Sequence, residues 1–324
     1  MDAKANTHIC AAPVSQDSSE TVIAPPNSPY LIVVAGGIPG TMVGLNDRGT
    51  TLGRSADSSL QISDITISRQ HACLSVDEVG TVHLRDDGST NGTFVNGKRV
   101  AAYRTVSLDD GDRIQLGTTV VLKLARLDPT DELFQREMFE RTVRDNLTGL
   151  YNRAYLINEI GLLAARSAAQ GMGLGVLMLD IDHFKRVNDR HGHLVGDRVL
   201  REVAAVIRES TRPEDLVARF GGEEFVVALP ISAAHLAVDR ADRIRTNLAM
   251  RRIRTEGQEI QVTASIGLAF GPPGRSRNEM ALIMTADEAL YQAKAEGRNR
   301  VVLGHHAMQI SPRQTESAEF AALV

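Results

Sequence analysis

The spacing of apolar residues divides the chain near residue 127. From Tyr30 to Arg126 the apolar residues come in short runs separated by clusters of Gly, Asp, Asn and Ser, a pattern typical of many short strands. Residues 1–28 precede this pattern and are rich in Ala, Ser, Asn and Pro, with almost no apolar periodicity. We therefore predict a disordered tail over 1–28 and an all-β sandwich over 29–126.

A linker helix is predicted over residues 127–144. Asp128 and Pro129 form a helix-start signal, and Asp131 places an acid in the first turn. Five apolar residues then recur at roughly helical spacing: Leu133, Phe134, Met138, Phe139 and Val143. Two arrangements fit this stripe, a helix that lies on one domain and a dimeric stalk that joins the domains.

Long helices alternate with strands over residues 145–304. Gly173–Asp180 predicts a buried strand, and Gly221–Glu223 between two apolar runs predicts a hairpin. Ile260–Phe270 places alternate apolar residues on one face and predicts a half-exposed strand. The order β-α-β-β-α-β-α-β predicts an α/β domain with a mixed sheet flanked by helices. A C-terminal tail, with a solvated His-His pair, is predicted over 305–324.

Composition and charge narrow the class of protein. The 324 residues are 43% hydrophobic and 23% charged, which is typical of a soluble chain with two domains. No apolar run reaches the length of a membrane span, no secretory signal is visible, and two cysteines exclude a disulfide framework. We therefore expect a cytoplasmic protein without a membrane partner. Both domains nearly balance their charges, which argues against nucleic acid as a ligand.

Three loop clusters in the β-rich domain contain groups that bind phosphate. They are Gly53–Ser55, Ser68–His71 and Ser89–Thr93. Each combines an Arg or a hydroxyl with a tight-turn residue, and such donors suit a dianionic phosphate and a peptide backbone. Each cluster alone is weak, because Ser, Asn and Gly are ordinary turn residues.

Together and in order, the clusters resemble the forkhead-associated (FHA) domain, a β-sandwich that binds phosphothreonine peptides. The resemblance covers about residues 30–126 and implies that Arg54 and Ser68 hold the phosphate. It also implies that His71 braces the loops. The full set of implied phosphothreonine-binding residues is Arg54, Ser68, Arg69, Thr90 and Asn91.

Acidic residues in the second domain occur where a metal site can form. Asp180 ends the predicted buried strand, and Glu223 and Glu224 occupy the predicted hairpin. Carboxylates, waters and substrate phosphates are the ligands that Mg²⁺ prefers. Gly221 and Gly222 carry no side chain, so a nucleotide can approach their backbone.

The hairpin sequence Gly-Gly-Glu-Glu-Phe is similar to the GGDEF signature of diguanylate cyclases. Four further segments match that family in order: Asp145–Arg153, Asp180–Asp189, Gly192–Asp197 and Ala286–Arg300. The resemblance covers about residues 145–304 and implies a palm-like mixed sheet. It implies a nucleotidyltransferase that condenses two GTP into cyclic di-GMP and two pyrophosphates, with two half-sites facing each other in a homodimer.

The resemblance also implies roles for individual residues. Asp180, the Ile181 carbonyl and Glu223 would ligate Mg²⁺ or Mn²⁺, and Asp182 stays unassigned. Either Glu223 or Glu224 would remove the 3′-hydroxyl proton, and both alternatives stay open.

The nucleotide contacts follow in the same way. The residues implied for the triphosphate are Lys185, Lys294 and Arg298, supported by the Phe184 backbone. Asn188 and Asp197 would read the base, since an ionised Asp only accepts hydrogen bonds and guanine offers a matching pair of donors. ATP would leave Asp197 unpaired and is expected to be rejected. His193 either lines the guanine pocket or caps its helix.

Arg212 and Asp215 form an R-x-x-D ahead of the hairpin, at the spacing of the inhibitory site that binds cyclic di-GMP in the resembled family. Arg243 on the following helix would contact the inhibitor from a second domain. The alternative is a solvated salt bridge between Arg212 and Asp215.

These features predict a diguanylate cyclase that is regulated by phosphothreonine binding and by its product. The alternative is a catalytically inactive GTP or cyclic di-GMP sensor that docks through its FHA domain. Thr21, or Thr7, has a setting suited to a Ser/Thr kinase. The FHA ligand is therefore either this tail or another phosphorylated protein.

Overall fold

The computed structural model describes residues 8–11, 27–55, 57–255, 258–273 and 279–304. Thr7, Thr21 and the His305-His306 pair lie outside the described residues. Within the described ranges, no helix combines the length and apolar character that crossing a membrane requires.

The first domain is a sandwich of two six-stranded sheets, as predicted. One sheet has, in spatial order, β1 (His8–Ala11), β5 (Leu60–Ser63), β4 (Thr50–Gly53), β6 (Ala72–Val76), β7 (Val82–Asp86) and β10 (Thr105–Leu108). The other has β3 (Met42–Gly44), β2 (Ser28–Ala35), β12 (Val120–Leu127), β11 (Arg113–Leu116), β8 (Thr93–Val95) and β9 (Lys98–Arg99). Alternate residues of both sheets bury an aliphatic core, which leaves the connecting loops at the rim.

Strand β1 lies inside the segment predicted to be a disordered tail. It pairs antiparallel with β5, and Ile9 is the Cα partner of Ile62. The unpaired backbone of an edge strand offers hydrogen-bonding groups that any short extended segment can satisfy. The prediction of disorder over the whole of 1–28 is therefore wrong at His8–Ala11.

The linker helix α1 spans Pro129–Val143, where it was predicted. Asp128 caps it, because its carboxylate accepts hydrogen bonds from the backbone of Thr130 at 2.7 Å and Asp131 at 2.9 Å. Proline at the first helical position needs no hydrogen-bond partner, so it fits there.

One side of α1 contacts the sandwich and the other is exposed. Burial, together with a hydrogen bond to Glu132, raises the pKa of Tyr30 in β2 to about 12, and Phe139 lies against Gly40. The outer side exposes three apolar side chains: Leu133 (67%), Phe134 (58%) and Met138 (43%). The helix therefore lies on one domain and leaves an apolar stripe exposed on its outer side.

The second domain has a mixed sheet with helices on both faces, as predicted. In spatial order the strands are β13 (Tyr151–Asn152), β15 (Leu216–Arg219), β16 (Glu224–Ile231), β14 (Gly173–Ile181), β19 (Ala264–Gly271) and β20 (Val301–Leu303). A separate hairpin pairs β17 (Ile253–Thr255) with β18 (Gln258–Ile260). The β14 strand is antiparallel to both neighbours, whereas β13–β15 and β19–β20 are parallel pairs.

Two helices cover each face of this sheet. The helices are α2 (Arg153–Ala169) and α6 (Glu279–Ala295) on one face, α4 (His193–Ser210) and α5 (Ala234–Met250) on the other, and the short α3 (Phe184–His191) beyond the end of β14. Because both faces are covered, β19 is almost wholly buried, and the prediction of a half-exposed strand there is wrong. The central strand β14 is buried along its whole length.

Glu159 is an acid among the apolar residues that α2 packs against the sheet. Only 8% of the residue is exposed, and burial raises its pKa to about 7, with Arg166 opposing the shift. The groups that face it across a surface cavity are Arg166, Glu214 and Asp215.

Glu159→Gln should stabilise the protein in mildly alkaline solution. The folded-state pKa, about 7, lies above the ordinary 4.5. The stability from protonated Glu159 is therefore fully present below the unfolded pKa and is lost as the pH rises through the folded pKa. Above it, the ionised carboxylate costs up to about 3 kcal/mol, which Gln avoids. Urea unfolding at about pH 8 should show a higher midpoint for the variant, and at about pH 4, below the unfolded pKa, almost none of this gain.

The matched control is Glu288→Gln, which changes an exposed glutamate on α6. It should leave both midpoints unchanged. Equal midpoints for wild type and Glu159→Gln at about pH 8 would contradict the buried, raised-pKa description.

Candidate functional site

The loops at one rim of the sandwich form a polar cleft. All five residues predicted to bind phosphothreonine line this one cavity of about 610 Å³. They come from loops that the sequence separates widely, and the strands β4, β6 and β8 bring those loops together. The cleft therefore gathers two guanidinium groups, two hydroxyls and an amide.

Hydrogen bonds between the loops hold these side chains in place. Ser68 Oγ accepts from the backbone N–H of Thr90 at 3.0 Å and lies 3.4 Å from Thr90 Oγ1. The Asn91 amide donates to the Thr66 carbonyl at 2.7 Å, and the Arg54 backbone donates to the Ser68 carbonyl at 2.9 Å. The donors are thus arranged before any ligand arrives.

His71 braces the loops, as predicted. The side chain is fully buried; its Nδ1 accepts from the Ser68 backbone at 3.2 Å, and its Nε2 lies 3.1 Å from the Gly92 carbonyl. Burial lowers the pKa of His71, which favours a neutral ring with the proton on Nε2.

Asp86 is a further brace that the sequence did not reveal. Its buried carboxylate accepts hydrogen bonds from the backbone N–H groups of Gly88 and Ser89, both at 2.9 Å, and from the Thr93 hydroxyl at 2.6 Å. Burial opposes ionisation, but these hydrogen bonds outweigh it and hold the pKa of Asp86 below its usual range. An aspartate before a glycine turn is too common to be distinctive in a sequence.

In the second domain the acidic residues meet where β14 ends. Asp180, 5% exposed, is the Cα partner of Glu224, and the Ile181 N–H points to the Glu223 carbonyl at 3.4 Å. Burial raises the pKa of both Asp180 and Glu223, and the charge of Asp180 raises that of Glu223 further. Lys294 opposes the shift, with its Nζ 2.8 Å from Asp180 Oδ2.

This donor set fits a hard divalent cation. The buried Asp180 carboxylate and the half-buried Glu223 carboxylate repel each other, so an added positive charge would stabilise both. Among the described residues, no group of three or more His, Cys, Asp or Glu is arranged for a metal. Mg²⁺ usually binds through one or two carboxylates plus substrate phosphates, so a site built on Asp180 and Glu223 needs no larger cluster.

The two glycines of the hairpin have different surroundings. A Cβ at Gly221 would lie 2.5 Å from Glu224 Oε2, so glycine allows the Glu224 side chain to fold over the turn. A Cβ at Gly222 would meet nothing within 4 Å. The turn is thus closed on one side by Glu224 and open on the other.

Arg219 fixes this turn and was not predicted. Its guanidinium donates to the Gly222 carbonyl at 2.6 Å and to both oxygens of Asp145, at 3.2 and 3.1 Å. Asp145 lies just after α1, so the ion pair joins the end of the linker helix to the GGEEF turn. The two charged residues are 74 positions apart, and no spacing rule connects them.

The residues predicted to read guanine lie on α3 and α4. Asn188 packs so tightly against Gly196 that any larger residue there would collide with its amide, and Asp197 follows Gly196 on the second turn of α4. Gly192 is the N-cap of α4 and makes no side-chain cap, so the alternative that His193 caps the helix is wrong. His193 is exposed at the first helical position.

The cationic residues are distributed around the acidic pair. Lys185 is exposed on the first turn of α3, directly after the buried Phe184. Arg298 lies on the turn that follows α6, with φ 61°, and its charge favours ionisation of Asp180. Lys294 contacts Asp180 directly. The structure thus brings Lys294 and Arg298 to the acidic pair.

The R-x-x-D segment is more than a surface ion pair. Asp215 is buried and pairs with Arg240 at 3.2 Å, whereas the Arg212 guanidinium stays exposed, 3.6 Å from Glu214. The backbone of Arg212 donates to Asp215 at 2.8 Å and closes the turn. The solvated Arg212–Asp215 salt bridge is therefore wrong, and Arg240 is a partner that the sequence did not reveal.

Arg243 lies near this turn and donates to the Ser210 carbonyl at 2.7 Å, within the same chain. Burial is the main cause that lowers the pKa of Arg240, and the charges of Arg243 and Arg212 lower it further. The three guanidinium groups therefore lie close enough to repel one another. Such a cluster favours an anion.

Known proteins share both parts of this architecture. Residues 142–300 match the family "Diguanylate cyclase, GGDEF domain" and residues 50–117 match the FHA domain family. The chain belongs to the GGDEF family, with an FHA domain ahead of the GGDEF domain. The predicted order of the two domains is confirmed.

Individual relatives match mainly through the GGDEF part. The chain is 40% identical over 195 residues to the response regulator PleD of Caulobacter vibrioides, covering 59% of this chain and 43% of PleD. It is 42% identical over 163 residues to the diguanylate cyclase DgcP of Pseudomonas aeruginosa, covering 50% of this chain and 24% of DgcP. The chain thus spans less than half the length of these relatives.

A solved structure of the coiled coil and GGDEF domain of DgcB from Caulobacter crescentus, in complex with c-di-GMP, also matches. The TM-score is 0.50 at 33% identity, over 53% of this chain and 91% of that chain. This likeness supports the fold class assigned to the second domain.

Proposed function

We propose that the protein is a diguanylate cyclase that joins two GTP into cyclic di-GMP and releases two pyrophosphates. The observation that supports this most is the buried Asp180 beside the half-buried Glu223, with Lys294 alongside, at the open GGEEF turn. Because GTP is a cytoplasmic metabolite, we place the reaction in the cytoplasm.

The reaction needs few groups. Each 3′-oxygen forms a bond to the α-phosphorus of the other GTP while the α–β phosphoanhydride bond breaks and pyrophosphate leaves. Glu223 or Glu224 accepts the hydroxyl proton. Lys185, Lys294 and Arg298 hold the triphosphate, with the N–H groups at the start of α3 beside them. Asp180, the Ile181 carbonyl and Glu223 would hold Mg²⁺ or Mn²⁺, which would neutralise charge on the phosphoryl oxygens.

Substrate choice follows from Asn188 and Asp197. A carboxylate accepts from both the N1–H and the exocyclic amine of guanine, whereas adenine offers no such pair. Gly196 keeps Asn188 close to α4, so both groups face the base from adjacent helices.

One GTP is bound by each of two facing subunits, so catalysis requires a homodimer. The exposed stripe Leu133, Phe134 and Met138 on α1 suits packing against a second α1. Phosphothreonine in the FHA cleft would alter this association and thereby the rate.

Glu223→Ala should abolish cyclic di-GMP synthesis, because it removes a metal ligand and a candidate base. Purified protein is incubated with GTP and Mg²⁺, and the nucleotides are separated by chromatography; ATP should give no cyclic product. The control is Glu214→Ala, an exposed glutamate with a loose ion pair, which should leave synthesis intact. Robust synthesis by Glu223→Ala would rule out the metal assignment.

The same assay also tests the alternative of a catalytically inactive sensor. Wild-type protein that binds GTP or cyclic di-GMP but forms no product would favour it.

We also propose inhibition by the product at Arg212, Asp215 and Arg243. Arg240 neutralises Asp215, which leaves the exposed Arg212 guanidinium available for a phosphate. The site lies at the start of β15, and the GGEEF turn lies at its other end, so the inhibitor binds away from the chemistry.

Arg212→Ala should raise the cyclic di-GMP concentration for half-inhibition by about tenfold or more, the loss of one charged hydrogen bond. Initial rates are titrated with cyclic di-GMP and normalised to each protein's uninhibited rate. The control is Arg201→Ala, which changes an exposed arginine on α4 and should titrate like wild type. Coincident curves for Arg212→Ala and wild type would show that Arg212 does not contact the inhibitor.

We propose that the FHA cleft takes phosphorylated Thr21 of the chain's own tail, or a phosphothreonine of another protein. Thr21 lies seven residues before Ser28, where β2 begins, so it reaches at most about 25 Å from that point. Such a tether gives a local concentration near millimolar. Docking onto a second copy would bring two subunits together.

Phosphorylation of Thr21 should increase the mass in solution and the cyclase rate, and Arg54→Ala should cancel both changes. The three proteins compared are unphosphorylated, phosphorylated, and phosphorylated with Arg54→Ala, by light scattering and product formation. No change on phosphorylation would leave another protein as the FHA ligand. A change that survives Arg54→Ala would exclude the cleft.

A further inference from the structure

Asp182 is a buried acid close to Asp180, and its hydrogen bonds go to other parts of the domain. It follows β14 directly, and only 6% of the residue is exposed. Its Oδ2 accepts from the Thr263 hydroxyl at 2.6 Å and the Asn299 backbone N–H at 3.0 Å, and its Oδ1 accepts from the Ser265 hydroxyl at 2.6 Å. Three protein donors thus occupy the carboxylate.

The segment that Asp182 holds is conformationally unusual. Gly297, Arg298 and Asn299 have φ values of 113°, 61° and 44°, so three consecutive residues have positive φ. For a residue with a side chain this conformation is unfavourable. Such a turn persists only where its surroundings fix it.

Other hydrogen bonds also hold this turn: the Arg298 carbonyl accepts from Arg300 Nε at 3.3 Å, and the Arg300 carbonyl accepts from the Ile266 N–H of β19 at 2.9 Å. The Arg298 N–H donates to the Ala293 carbonyl at 3.0 Å, and Arg245 donates to the Asn299 side chain at 3.1 Å. Asp182 alone, among the described residues, holds the Asn299 N–H. The same carboxylate binds the start of β19, so the turn is attached to the sheet rather than only to α6.

The consequence concerns Arg298. Arg298 directly precedes Asn299, whose N–H is held by Asp182, and the positive charge of Arg298 favours ionisation of Asp180. If the turn relaxed to ordinary backbone angles, the direction in which Arg298 leaves the chain would change. A displacement of about 1 Å in a substrate-holding group is costly.

We propose that Asp182 is a positioning residue that fixes the left-handed turn so that Arg298 reaches the triphosphate of GTP, and that it is not a metal ligand. The proposal rests on the proposed function only in taking GTP as the ligand. It deepens the site by assigning the second acid of the Asp-Ile-Asp segment to the turn rather than to the cation.

Asparagine is an informative replacement at this position. Its side-chain oxygen can still accept from the Asn299 N–H, and its amide can donate to Ser265, because a hydroxyl rotates to accept. Alanine removes every acceptor. A positioning role therefore tolerates Asp182→Asn, whereas a metal ligand does not.

The test measures the affinity of the full chain for 3′-deoxy-GTP with Mg²⁺ by calorimetry. This analogue lacks the attacking hydroxyl, so the readout is independent of turnover, and a protein that binds it but makes no product would contradict only the proposed reaction. We expect Asp182→Ala to weaken binding about tenfold, the loss of one hydrogen bond to a charged group, and Asp182→Asn by less than about threefold. Thr263→Val, which spares the Asn299 contact, is the matched control and should resemble Asp182→Asn.

A double-mutant cycle with Arg298→Ala separates positioning from general stability. If Asp182 acts through Arg298, adding Asp182→Ala to Arg298→Ala should weaken binding no further. If the two substitutions weaken binding independently, so that their fold-changes multiply in the double variant, the proposal is overturned. An Asp182→Asn protein that binds as weakly as Asp182→Ala and needs more Mg²⁺ would also overturn it. If Asp182→Ala does not fold, Asp182→Asn decides alone, since it must keep both the affinity and the Mg²⁺ requirement of wild type.

Discussion

The crowding of acids at the end of β14 is the constraint on which the second domain depends. Asp180 is buried beside Glu223, and its charge makes ionisation of Glu223 less favourable. A chain tolerates such a pair only if cations stand next to it. Lys294 on α6 is one such cation, and it reaches Asp180 because α6 packs flat against β14 and β19. The core therefore determines how far apart the charges lie.

Sequence patterns predicted the elements well and the long-range contacts poorly. The helix start at Asp128 and the buried strand at Gly173–Asp180 depend on neighbouring residues, and both formed as expected. The error at β19 has a different origin. Its alternating pattern indicated one buried face, but small residues on the second face, such as Ala269, let helices pack there too.

In the candidate site, too, features that depend on local sequence were predicted and long-range contacts were not. Its charged residues could be found because the motifs keep their order along the chain. Their partners could not, because Asp145 with Arg219 and Asp215 with Arg240 are joined only by the fold. An acid in a turn looks the same in a sequence whether it binds a ligand or closes the turn. Asp86 and Asp182 both prove to hold loops, and only their donors reveal it.

The two domains are connected through α1, and strand β1 of the sandwich also contacts α2 of the second domain. Phe139 and Glu132 hold α1 to the sandwich, and two residues after α1 ends, Asp145 pairs with Arg219. Arg219 in turn binds the Gly222 carbonyl of the GGEEF turn. The pair is only partly exposed, 16% for Arg219 and 23% for Asp145, so it is screened less than a surface ion pair. A shift of α1 would therefore reach the turn through one short ion pair, without rearranging the buried sheet.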